Sequence, residues 1–313
     1  MNIFEALKSF FENLPTNIKG GLWMICAGVF FTFIGVMIRF ANKEVHVLEI
    51  VFFRYFISLL IMMPWMMRTG LSGLSCKNLP LLFARSISSY IGAIFWFASM
   101  IYLPLAEATV LGYTAPLFAT LGAVLFLGEV VRKKRWWALA VGFSGTLIML
   151  RPGIETITLP ALYAIGGAIF ISCSALLVKV LSRTDSPETI VLYMAIFSTP
   201  LSLGAAIFVW STPSLETLFW LIGIGLFSTL AHLAYTRSFA IADASVVLPY
   251  DYVRLLMVAA VGFGFFGEIP DIWTWAGAAV IAGSTFYIAR RETTSAGKNK
   301  IISKSTRSSV EFN

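Results

Sequence analysis

Asp251 and Arg254, in the stretch VVLPYDYVRLLMV (residues 246–258), set a carboxylate and a guanidinium three residues apart in an apolar run. That spacing puts both on one face of a helix, where they can neutralise each other as an ion pair. The pair can instead be turned toward a solute, because Pro249 has no N–H for the preceding turn and loosens the helix beside it. Arg54, in EIVFFRYFI (residues 49–57), carries a planar fork of donors. Such a fork suits a carboxylate or phosphate, or an acid on another helix. Glu49 lies five residues away from it, a poor spacing for one helix face. His232 sits in a second apolar run and has two readings: a neutral ring bonded to a neighbour, or a proton relay with Asp251. Hydrolytic and metal chemistry are absent from the sequence. It contains no H-E-x-x-H, no G-x-S-x-G, no phosphate-cradling glycine loop and no His/Asp cluster at metal spacing. No catalytic residue, metal site or cofactor is therefore expected.

The elements that must carry these groups follow from composition. The chain has 313 residues, of which 58% are hydrophobic and 12% charged. Soluble domains run at about 45–50% apolar and about 25% charged, so an all-α integral membrane protein is expected. The net charge of +7 sits between and after the apolar runs, as in loops facing a cytoplasm and anionic lipid. That distribution argues for a lipid bilayer as partner and against nucleic acid. Cys26, Cys76 and Cys173 form no disulfide framework.

Runs long enough to cross a bilayer, roughly 20 residues each, fall at 19–40, 47–67, 81–103, 105–127, 134–151, 159–181, 188–210, 215–238, 244–266 and 272–290. Residues 1–17 form an N-terminal cytoplasmic or interfacial segment, and residues 292–313 a polar, basic cytoplasmic tail that reads as disordered. Ten spans place both termini on one side. Counting Arg85, the Arg132–Arg135 cluster and the tail with that side gives eighteen basic residues against three, Arg39, Lys43 and Arg151, on the other. The bias predicts cytoplasmic termini.

The two halves repeat each other weakly. GGLWMICAGVFFTFIGVMIRF (20–40) aligns with PALYAIGGAIFISCSALLVKV (160–180) at an offset of 140. AEATVLGYTAP (106–116) sits beside ADASVVLPYDY (242–252), and each is followed by a Gly-Glu, Gly128-Glu129 and Gly267-Glu268. Five spans per unit turn the second copy over, giving a 5+5 inverted repeat of residues 18–152 and 153–291. The repeat sets Asp251 and Arg254 opposite Tyr113, Thr114 and Pro116, so the charges occupy only one copy.

PLAEATVLGYTAPLFATLGAVLFLGE (104–129) and ASVVLPYDYVRLLMVAAVGFGFFGE (244–268), with the ten-span plan, resemble the EamA-type branch of the drug/metabolite transporter superfamily over about residues 18–291. The resemblance implies alternating access around a central cavity lined mainly by the third, fourth, eighth and ninth spans. Tyr90, Trp96, Tyr113, Tyr235, Tyr250 and Tyr252 fall in or beside those segments. Beside an internal Asp/Arg pair, such rings suit a planar or zwitterionic organic solute. The expected substrate-binding residues are Asp251, Arg254, Tyr250, Tyr113, Trp96, Tyr90, Tyr235 and Arg54, with Asp251 and His232 as proton-coupling candidates. The expected protein is a multi-pass, inner-membrane secondary transporter of a small polar organic metabolite, monomeric or homodimeric. Amino acids, vitamins such as a flavin and nucleoside-like compounds such as S-adenosylmethionine are the solute classes, and the energy comes from the solute gradient, exchange or protons. The rival reading is a membrane-embedded enzyme or an accessory protein without transport.

Overall fold

The computed structural model of the chain describes residues 14–70, 74–115, 158–242, 247, 250–251 and 253–283, with isolated positions between 117 and 148. Among the described residues the regular structure is helical. The helices are α1 (Thr16–Ala41), α2 (Val47–Thr69), α3 (Leu79–Tyr102), α4 (Leu105–Gly112), α5 (Leu159–Leu181), α6 (Pro187–Ala206), α7 (Leu215–Ile241) and α8 (Val253–Phe266). A last helix, α9, covers Ile272–Gly283. Starts are set by short polar side chains that accept the first free N–H groups. The side chains of Asn78, Thr158, Ser186 and Ser214 each accept a hydrogen bond from the N–H three residues on. Proline occupies the first turn of α3, α5 and α6, where its missing N–H costs nothing.

Six of these helices, α1, α2, α3, α5, α7 and α6 with its short 3-10 extension to Val209, are long and apolar enough to cross a membrane. Large apolar side chains such as Phe33, Leu60, Phe83, Leu162, Leu201 and Phe219 point outward on them. Water does not favour such a surface, whereas hydrocarbon tails do.

Each helix packs most extensively on one from the other half of the chain. α1 lies along α7, α3 along α5, and α2 along α6; α8 rests on α1 and α4, and α4 on α5. Close approach depends on missing side chains. A Cβ on Gly225 of α7 would stand 2.5 Å from Cβ and Cγ2 of Ile57 on α2, atoms too near the backbone to swing away. Gly225→Ala is therefore expected to cost about 1–3 kcal/mol by forcing α2 and α7 apart. The check is a lower thermal midpoint in detergent, recovered in part when Ile57→Gly, which removes the clashing Cβ, is added. A Cβ on Gly92 would stand 3.3 Å from Ile171 across the α3–α5 seam, and one on Gly145 would stand 3.0 Å from the Gly277 carbonyl.

The loops at 41–50 and 181–190 fold alike. Asn42 and Ser182 donate backbone N–H groups to Ile38 and Val178, and the next three positions repeat the match at the same offset of 140. Both loops then send an acid to the other half. Glu44 caps α7 through the Ser214 N–H (2.9 Å) and hydroxyl (2.6 Å), with the Thr217 hydroxyl also donating to it. These donors hold its carboxyl below the usual carboxylate range. Asp185 accepts the Lys77 N–H just before α3, at 3.0 Å.

The structure corrects several expectations. The helix expected at 105–127 stops at Gly112, turns at Tyr113 and Thr114, and is helical again at 117–119. A proline at position 116 has no N–H for the Gly112 carbonyl. Within 244–266 the helix is not one continuous α-helix: Val247 is α-helical, Tyr250 and Asp251 form a 3-10 turn, and α8 begins at Val253, so the charge pair stands at the head of α8. Arg85, counted with the charged cytoplasmic ends, is 3% exposed inside α3. α1 opens at Thr16, so Thr16 and Asn17 belong to it and not to the N-terminal segment. Residues 1–13, the basic tail and the Arg132–Arg135 cluster lie outside the described residues.

Candidate functional site

Two charged groups meet in the interior, one at the head of α8 and one between α2, α3 and α7. At the first, Arg254 Nη2 donates to Asp251 Oδ2 at 2.9 Å. Both side chains are mostly buried, 14% and 20% exposed. The Tyr113 hydroxyl, at the C-terminal end of α4, donates to the Asp251 carbonyl at 2.9 Å and so ties α4 to the α8 head. The Arg254 guanidinium lies 5.5 Å from the Tyr113 ring centroid and 5.6 Å from that of Phe31 on α1. Two glycines of α1 make room for this corner. A Cβ on Gly28 would stand 3.3 Å from the Arg254 stem, and one on Gly21 would meet the Tyr250 ring at 2.7 Å.

The second group centres on Arg54 of α2, which is 5% exposed. Its Nη2 stands 2.8 Å from His232 Nε2 on α7. A guanidinium only donates, so Nε2 accepts and the ring proton belongs on Nδ1 of a neutral imidazole. That Nδ1 is buried without a partner. Arg54 also donates to the Tyr55 hydroxyl at 3.3 Å, and that hydroxyl meets Ser89 Oγ of α3 at 3.3 Å. Its guanidinium lies over the Tyr55 and Phe97 rings, at 4.7 and 5.3 Å. Arg85 stands one turn before Ser89 on the same face of α3 and leaves Nε and Nη1 unpartnered. Glu49 does not serve Arg54, because its Oε1 takes the Ser211 N–H and hydroxyl at 3.0 and 3.1 Å.

Phe31 joins the groups. Its ring is edge-on to His232 at 5.5 Å and to Tyr235 at 6.5 Å, while Arg254 covers it from the other group. Asp251 and His232 are thus both in the interior, with Arg254 and Phe31 between them. Tyr235 also packs on Phe239, at 4.7 Å. Trp96 lies against Gly112, where a Cβ would come within 2.4 Å of its ring, and it fixes the end of α4. Tyr90 is half-buried against the main core. Tyr252, Pro249 and Glu129 lie outside the described residues. Phe31, Tyr55, Ser89 and Arg85 are members that sequence reasoning did not single out. The available signal was polar residues one turn apart, Arg54 with Ser58 and Arg85 with Ser89. Among the described residues no three His, Cys, Asp or Glu side chains gather as a metal site. Cations, ring faces and unpartnered donors can bind and orient a polar solute.

Glu268, at the turn after α8, has a different task. It pairs with Arg39 at the end of α1, and its Oε2 accepts the Leu105 N–H at 2.8 Å. Arg39 also donates from Nε to the Met100 carbonyl at 2.7 Å and from Nη2 to the Leu103 carbonyl. At the opposite ends of the long helices, Arg237 pairs with Glu188 at 2.7 Å.

A family model described as the EamA-like transporter family matches residues 18–151 and again 158–290. A riboflavin transporter of Vibrio cholerae serotype O1 is 32% identical over 290 residues, covering 91% of this chain and 97% of its own. An S-adenosylmethionine uptake transporter of Rickettsia prowazekii is 29% identical over 281 residues, covering 90% and 96%. A solved crystal structure aligns with a TM-score of 0.64 at 17% identity over 87% of this chain and 98% of its own, a likeness of fold alone.

Proposed function

We propose, from the premise that this chain belongs to the EamA-like transporter family, that its solute is a small polar organic metabolite with a planar ring system, of the flavin or nucleoside-like class. The protein is a multi-pass membrane transporter and not an enzyme. The observation that carries the solute class is the interior cluster: Arg54 on His232, Asp251 on Arg254, Phe31 between them and Tyr113 beside Arg254. Ionic side chains at membrane depth are retained where they pair or face a solute path. Aromatic faces beside them suit a conjugated ring. The names of the relatives, a riboflavin and an S-adenosylmethionine transporter, support the same class.

The carrier works by alternating access between two inverted five-helix units, without ATP hydrolysis. The family model's twofold match, the matching loops at 41–50 and 181–190, and the crossed pairing of α1 with α7 and α3 with α5 support that plan. Both termini face the cytoplasm across the inner membrane. Moving Arg85 into the interior still leaves seventeen basic residues against three. The driving force is the solute gradient, exchange or protons, with Asp251 and His232 as the groups to hold a proton, in a monomer or homodimer.

Uptake of riboflavin and of S-adenosylmethionine by proteoliposomes of the purified chain tests the reading. Saturable uptake of at least one, competed by its unlabelled form, is expected. Neither compound moving under an imposed solute gradient, nor under a pH gradient, would remove the solute class.

A further inference from the structure

Buried polar stripes of α2, α3 and α7 meet through the Arg54–His232 and Tyr55–Ser89 bonds, and they satisfy each other only in part. On α2, Arg54 is followed one turn later by Ser58, which is 1% exposed with its hydroxyl unpartnered. On α7, His232 stands between Ser228 and Thr236, one turn to either side, and all three leave a buried polar atom without a partner. On α3, Arg85 is 3% exposed and leaves Nε and Nη1 free. Such groups are rare in a folded interior, and each needs a reason.

Charge narrows the reason. Arg54 and Arg85 are within each other's electrostatic field, and both act on His232. Neither guanidinium touches a carboxylate among the described residues: Asp251 is bound to Arg254, Glu188 to Arg237, Glu268 to Arg39, and Glu49 to Ser211. Arginine does not lose its proton to escape burial. Two fixed positive charges therefore share the interior: Arg54 donates to His232 and Tyr55, and Arg85 keeps Nε and Nη1 without an acceptor among the described residues. A packing role does not account for this, since an apolar side chain of similar size fills the space without the charge.

We propose that Arg85, Arg54 and His232 form a subsite for an anionic group of the transported solute, a carboxylate or a phosphate, with Arg85 as its main ligand. The inference rests on the transport reading and adds a charge requirement to it. The guanidinium of Arg85 offers donors to oxyanion oxygens. His232 offers its Nδ1–H, and the unpartnered hydroxyls of Ser58, Ser228 and Thr236 stand one helical turn from Arg54 or His232. The ring system of the solute is left to Phe31, Tyr113 and Arg254, on the far side of His232.

The test uses the full chain in phosphatidylcholine nanodiscs, which carry no anionic headgroup. Binding is measured for pairs that differ in one acidic group: flavin mononucleotide against riboflavin, and S-adenosylmethionine against its decarboxylated form. Inorganic phosphate alone and added phosphatidylglycerol form two further arms. The acid-bearing member of one pair is expected to bind about tenfold tighter or more, and Arg85→Gln and Arg54→Gln should each erase that preference. Arg85→Lys, which keeps the charge and loses the fork, should retain part of it. Unliganded Arg85→Gln should melt higher than the parent, because an unpaired buried charge has gone. A structural arginine would give the opposite shift. The inference is overturned by equal binding within both pairs, by a preference that survives both glutamine variants, or by a lower melting point or failure to fold for Arg85→Gln. Arginine-dependent binding of phosphatidylglycerol alone reassigns the site to a lipid headgroup and overturns the solute assignment. Flux without any acid preference sinks this inference and leaves the transport reading standing. Absence of all flux, with arginine-dependent phosphate binding retained, does the reverse.

Discussion

Asp251→Asn is expected to stop solute movement and to destabilise the protein by about 3–5 kcal/mol, the usual consequence of removing one member of a buried pair. The loss comes from what remains: Arg254, 14% exposed, with its Nε already unpartnered and no second carboxylate at hand among the described residues. Two double variants separate pairing from solute contact. Exchanging the residues, Asp251→Arg with Arg254→Asp, restores attraction and should recover much of the thermal midpoint. Neutralising both, Asp251→Asn with Arg254→Gln, removes the stranded charge and should also recover stability, yet leave flux near zero. Flux that persists at parental rate in the neutral double variant would make the pair structural. An unchanged pH profile of transport in Asp251→Asn would likewise remove Asp251 from proton coupling.

Arg39→Met has the second large expected effect, a loss of similar size. Arg39 is one side chain serving three acceptors: the Met100 and Leu103 carbonyls and Glu268. Its guanidinium also lies 4.6 Å from the Phe266 ring centroid. The carbonyls belong to the end of α3, where a cation is favoured, and Glu268 reaches the first N–H of α4, where an anion is favoured. Methionine fills the volume and leaves two carbonyls and a carboxylate to find other partners. Arg39→Lys should rescue little, because an ammonium is a point charge and cannot match acceptors spread across a planar fork. Glu268→Gln should cost less, since an amide oxygen still accepts from Leu105. Thermal unfolding in one detergent orders the variants, and full stability in Arg39→Lys would show that charge alone matters.

Much of the scaffold was legible because length and apolarity are enough to define a helix in lipid. The predicted spans at 19–40, 47–67, 81–103, 159–181, 188–210 and 215–238 each fall within three residues of the observed ends. The offset of 140, read from apolar runs, reappears as matching hydrogen bonds in two loops. The Asp251–Arg254 bond was legible because three residues of separation leave little choice. Arg54 was not, because its partner lies 178 residues away and no local pattern encodes that contact. Arg85 misled for a related reason: proximity to a helix start suggests solvent, and burial there depends on how α3 sits against its neighbours. Phe31 looks like any of the chain's 27 phenylalanines until its neighbours are known.

The crossed pairing of helices has a consequence for how the chain assembles. When the first half has been made, α1 and α3 are in the bilayer without their most extensive partners, α7 and α5. Beside them α2 carries Arg54 before its partner His232 has been made, a charge that hydrocarbon solvates poorly. Native contacts must therefore wait until residues 215–241 have been inserted, a long delay that favours transient holding by insertion machinery over stepwise closure. A chain truncated between the halves is left with two unmatched seams, a ready target for quality control. The same mutual dependence predicts that the two halves, supplied as separate polypeptides, regain transport only when both are present, which co-expression of the halves checks.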